Sequence, residues 1–207
     1  MEEKKQTEEC ELKIVNNSNS FVMCVIWVIL FIGFLGGVLY SYFGKNINLK
    51  FIDNYFEVFL KNKTTVNVMQ LFVLNSVSVV SYLLGIFLLG FSPIFSLVIS
   101  LIPFFKGVGM GLNTSYVYTS YQWKGLIYEA IVDIPINIIV MFIIVLATKE
   151  AIKFSNGIYK TIKNKKNNDI SLKSYTVKFI FILVLAVIIS FFSSVVNFLF
   201  FKYFTLV

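Results

Sequence analysis

Residues 21–43 read FVMCVIWVILFIGFLGGVLYSYF, a stretch with no charged side chain. As a helix it would extend about 34 Å at 1.5 Å per residue. That is enough to cross a hydrocarbon core of about 30 Å. Further apolar runs follow at 66–90, 93–118, 126–147 and 177–200. The expected fold is therefore all-α, a polytopic membrane bundle of about five helices in one membrane domain spanning 21–207. The polar segment 1–20 reads as a disordered cytoplasmic tail, because its start is acidic rather than basic like a signal peptide.

Composition agrees. Of 207 residues 57% are hydrophobic and 14% charged, with a mean hydropathy of +0.81. Soluble domains carry roughly a quarter charged residues. The chain contains no histidine, which removes the commonest general base and metal ligand. Cys10 lies in the polar tail and Cys24 in the first apolar run, so neither a disulfide framework nor a thiolate metal site is supported. No phosphate-cradling loop precedes a Lys-Ser or Lys-Thr pair. The chain does not read as an enzyme, and no catalytic, cofactor or metal site is expected.

The net charge of +7 would suit nucleic acid, but the lysines are placed otherwise. Seven of them fall within 148–176. With the N-terminus inside, the inner segments hold ten lysines and the outer segments six. The lysine-rich side faces the cytoplasm, so the N-terminus is expected inside and the C-terminus outside. The basic flank then faces anionic membrane lipid, and no nucleic-acid partner is expected.

Between the first two spans, Ile52, Tyr55, Phe56, Phe59 and Leu60 recur at helical spacing within Asn46–Lys61. This amphipathic segment suits a helix lying on the membrane surface, and Tyr55, Phe56 and Phe59 equally suit docking of an outer partner. Gly33 and Gly37 form a small-xxx-small pattern that supports close helix packing. Pro93 suits the first position of the third helix. Within that span Pro103, Lys106 and the run Gly107-Val-Gly109-Met-Gly111 predict a break or kink, the glycines reading as packing glycines. A short aromatic loop, Thr119–Gly125, leads to the fourth span, where Pro135 predicts a second kink.

Glu129, Asp133 and Asn137 are spaced four apart on that fourth span, which stacks them on one face. Ionisable groups in a membrane are costly and usually face protein or a wet cavity. Lys106 is the candidate counter-charge. Pairing position 118 with 125 sets 110 opposite 133 and 106 opposite 137, bringing Lys106 within about one turn of Asp133. The expected arrangement is a Lys106–Asp133 pair in a polar layer with Glu129 and Asn137. Such a layer acts either as an internal clamp or as an ion or proton pathway in a small transporter or channel subunit. Asn75, with Ser190, Ser193, Ser194 and Asn197, offers further polar faces for interhelical hydrogen bonds.

The segment Pro103–Val140, PFFKGVGMGLNTSYVYTSYQWKGLIYEAIVDIPINIIV, resembles the stage II sporulation protein M family. The resemblance lies in the Phe105-Lys106-Gly107 entry to a small-residue helix, the aromatic loop, Gly125 opening an apolar helix, and Pro135 with Asn137 mid-helix. The wider superfamily often has Pro-His-Gly where this chain has Trp123-Lys124-Gly125, so no role of that histidine carries over. The resemblance implies a non-catalytic scaffold at the sporulation septum, on the mother-cell side. It implies stage II sporulation proteins D and P, which degrade peptidoglycan, as partners during engulfment of the forespore.

Overall fold

A computed structural model of the chain describes residues 2–43, 68–164 and 171–203. Five helices there are long and apolar enough to cross a membrane. They are α1 (Glu2–Phe43), α2 (Val68–Gly90), α3 (Ser96–Tyr128), α4 (Ile134–Asn164) and α5 (Leu172–Tyr203), with a π-helical segment, Glu129–Asp133, leading into α4. The amphipathic linker with Tyr55, Phe56 and Phe59 lies outside the described residues.

The helices are longer than expected at two places. α1 begins at Glu2, so the segment read as a disordered tail continues the first span as helix. Glu, Lys and Gln, which fill its start, are good helix formers. The lysine-rich region after position 147, where the fourth apolar run ends, is helical to Asn164. The joined helix 122–163 extends about 63 Å, twice the depth of a bilayer core, so its lysine-rich end projects beyond it. Lys178 at the start of α5 meets Glu150 of α4 at 2.7 Å and ties the two helices together at this end.

In the third span the irregular backbone sits elsewhere than at Pro103, where a break was expected. Pro103 is fully buried inside α3, and the residue with non-helical dihedrals in that helix is Gln122, with φ 52° and ψ −137°. The reversal into the fourth span is concentrated there rather than spread over Thr119–Gly125. A positive φ at a non-glycine residue stores about 1–3 kcal/mol of strain. The fourth span opens with the π turn, in which the Ile134 amide donates to the Glu129 carbonyl. Widening the helix just before Pro135 accommodates a residue that has no amide to give. Pro93 falls in the α2–α3 turn, three residues ahead of α3.

Packing divides the bundle into two pairs around α4, the most buried span. On one side α2 and α5 meet α4 through Leu83, Ile86, Ile144, Ala147, Ala151, Phe179 and Ile182. At the lysine-rich end Tyr175 lies flat between Phe87 and Phe154, with ring centroids at 5.3 and 4.1 Å. Its hydroxyl donates to the Phe87 carbonyl, and the missing side chain of Gly90 makes room for it. On the other side Ile26 and Leu30 of α1 pack on Met141 and Val145 of α4.

The closest approach in the bundle joins α1 to α3. A Cβ on Gly33 would overlap the Phe104 carbonyl, and one on Gly37 the Val108 carbonyl. Reciprocally, a Cβ on Gly107 would overlap the Leu30 carbonyl, and one on Gly111 the Phe34 carbonyl. Both positions rise together along both helices, so α1 and α3 run parallel. Backbone this close allows Cα–H···O contacts and dense van der Waals packing, which drive helix association in lipid. The outward faces carry large apolar residues such as Phe31, Leu97, Phe105, Ile131 and Phe181, as lipid contact requires.

Candidate functional site

The interior of the bundle is polar at one level. A cavity of about 200 Å³ lies among α2, α3, α4 and α5. Lys106 and Asn113 of α3 reach it, as do Asp133 and Asn137. Asn75, Ser78 and Tyr82 of α2, and Ser190, Ser193 and Asn197 of α5, complete its polar wall. Val79, Gly109, Met110, Ile136 and Val140 supply the rest. Two rim residues, Ser78 and Gly109, are exposed, so the cavity meets the surface between α2 and α3.

Three of the four residues expected in the polar layer, Lys106, Asp133 and Asn137, thus line one cavity. The expected direct Lys106–Asp133 pair is replaced by another contact. The Lys106 ammonium lies over the Tyr82 ring, 5.6 Å from its centroid. The cation–π attraction spares it part of the desolvation penalty of its depth. Tyr82 belongs to the second span, and spacing within the α3–α4 hairpin gives no hint of it.

Glu129 stands apart from the cavity wall. It is 3% exposed, and its Oε1 accepts from the Thr114 hydroxyl at 2.7 Å and from Asn113 Nδ2 at 3.4 Å. The hairpin register that sets 118 opposite 125 also sets 114 opposite 129, so this bond lies where the register puts it. Neither Thr114 nor Asn113 carries a charge or belongs to a motif that would mark it as a partner of Glu129. Asp133, 6% exposed, is buried one helical step deeper. Across the π segment a turn takes more residues than the α-helical 3.6. Pro135 is exposed toward lipid and stands off the polar layer that it helps to shape.

Two further bonds cross between helices. Asn75 Nδ2 donates to Ser194 Oγ at 3.1 Å, joining two polar faces suited to interhelical bonds that nothing in the sequence paired with each other. The Tyr128 hydroxyl donates to Asn197 Oδ1 at 2.6 Å, and Asn197 Nδ2 donates to the Ser193 carbonyl. Tyr128 belongs to no motif, and its place directly before Glu129 is the one sequence signal for its burial. Tyr128→Phe is expected to lower stability by about 1 kcal/mol, the usual net worth of one buried hydrogen bond. Unfolding in a bilayer mimic, with Tyr159→Phe at an exposed site as control, measures it.

No family model, no curated protein and no solved structure matches the chain. Fold and site define a class, a polytopic membrane protein of five helices whose interior carries a polar cavity.

Proposed function

We propose that the chain is a membrane scaffold that recruits and organises peptidoglycan hydrolases at the sporulation septum while the mother-cell membrane engulfs the forespore. One observation carries the reading. Among the residues on which the resemblance to stage II sporulation protein M rests, Lys106, Gly107 and Asn137 help to build the bundle interior. Gly107 seats α3 on α1, Lys106 and Asn137 face the cavity, and Pro135 follows the π turn. A bundle locked by close glycine packing and buried hydrogen bonds gives a fixed platform on which outer segments can present contacts. The segment with Tyr55, Phe56 and Phe59 is the proposed contact for stage II sporulation proteins D and P. The excess of lysines at the 148–176 end supports an N-terminus inside and a C-terminus outside.

Removing the chain from sporulating cells of its host should stall membrane migration at the septum, and restoring the intact chain should release it. Fluorescence imaging of the mother-cell membrane reads the result. Engulfment at the normal rate without the chain contradicts the scaffold.

The cavity favours a second reading, a small transporter or channel subunit. Its polar wall holds Lys106, Asp133 and Asn137 at membrane depth, where such groups often mark a solute or ion path. Flux into vesicles containing the purified chain, abolished by Asp133→Asn, would favour it; vesicles as tight as protein-free ones would count against it.

A further inference from the structure

The scaffold reading leaves the cavity without a use. Structural packing alone would close such a space, because removing polar groups from solvent without partners is expensive. At about 200 Å³ it exceeds the roughly 30 Å³ share of one water several-fold. That is room for a small cluster of waters or for a solute of amino-acid size.

The wall chemistry narrows the class of solute. One ammonium, Lys106, and one carboxylate, Asp133, reach the same space, with Asn75, Asn113 and Asn137 also in its wall. A simple anion would be attracted by Lys106 and repelled by Asp133, and a simple cation the reverse. A ligand with no net charge and two separated poles suits both. The Asn113 side chain also lines the cavity, its Nδ2 donating to Glu129 and its Oδ1 buried without a hydrogen-bond partner among the described residues. The Lys106 ammonium lies over the Tyr82 ring at the cavity wall.

We propose that this cavity binds a small zwitterion, with Lys106 holding its anionic oxygens and Asp133 and the amide oxygens holding its ammonium. Two sources offer that chemistry. A free amino acid could enter from water, or the phosphoethanolamine headgroup of a lipid could enter sideways past Ser78 and Gly109. The inference is independent of the scaffold and supplies a ligand for the cavity whether or not the ligand crosses the membrane. Binding without flux would support it while removing the transport reading.

The test uses the full chain purified in phosphatidylglycerol nanodiscs. Serine and glycerophosphoethanolamine are titrated by calorimetry, beside acetate and ethylammonium, which each carry one pole. Native mass spectrometry after exchange into equal phosphatidylethanolamine and phosphatidylglycerol reads lipid retention. The expected result is saturable one-to-one binding of a zwitterion, with both single-pole compounds at least about tenfold weaker, as loss of one buried charge partner implies. Serine binding assigns the site to free amino acids. Headgroup binding with selective phosphatidylethanolamine retention assigns it to lipid.

Lys106→Met should weaken binding by the same factor. Gly109→Leu should do so without removing a polar group, because no atom lies within 4 Å of a Cβ placed there and the side chain can fill the cavity rim. Lys178→Ala, remote from the cavity, should bind like the intact chain. If Lys106→Met does not fold, Gly109→Leu decides. The proposal is overturned if neither zwitterion binds, if acetate or ethylammonium binds as well, or if folded Gly109→Leu binds like the intact chain.

Discussion

Gly107→Leu will separate α1 from α3 and lower stability by about 3 kcal/mol, at the upper end of the range for overpacking. An added Cβ meets the Leu30 carbonyl and the Phe34 amide nitrogen, backbone atoms of a membrane-length helix that cannot swing aside. Leucine is the better helix former by up to about 1 kcal/mol. The packing loss outweighs that gain. Gly33→Leu should behave alike, since it meets Phe104 from the other helix. Gly36→Leu is the control, because a Cβ at Gly36 has nothing within 4 Å. Equilibrium unfolding in a bilayer mimic distinguishes them: a large loss at positions 33 and 107 and little change at 36. Equal tolerance at all three would mean that the helices do not pack through these glycines.

Glu129→Ala is the second large expected effect, a loss of about 2 kcal/mol. It leaves the half-buried Thr114 hydroxyl and Asn113 amide without this acceptor, at about 1–3 kcal/mol per unsatisfied group. Glu129→Gln, by contrast, keeps a carbonyl oxygen able to accept from Thr114 and should retain nearly all stability. A cycle with Thr114→Val isolates the pair, and a coupling near zero would remove the clamp. The glutamine variant also separates the two roles of the residue. A clamp works with an amide, whereas a proton path through Glu129 needs a carboxyl group.

What could be read from the residues follows from what lipid forces on a chain. Every backbone polar group at membrane depth must be paired within its own helix, so uncharged stretches such as 21–43 announce the spans directly. The α3–α4 register was legible because a short connection leaves few ways to lay one helix beside the next. Thr114 facing Glu129 is its consequence. Contacts between helices far apart in sequence were not legible. Gly33 and Gly37 mark a close approach, and so do Gly107 and Gly111, yet neither motif names the other as its partner. Tyr82 beneath Lys106 was hidden for the same reason. The continuation of α4 to Asn164 was missed because lysines were read as the end of a span, although lysine is a sound helix former once the helix has left the bilayer.

The most direct test of the scaffold is co-purification from sporulating cells. The intact chain is compared with a variant in which Tyr55, Phe56 and Phe59 are replaced by serine. Recovery of stage II sporulation proteins D and P with the intact chain, and their loss with the variant, is the expected result. A stable intact chain that brings down no cell-wall hydrolase would contradict it.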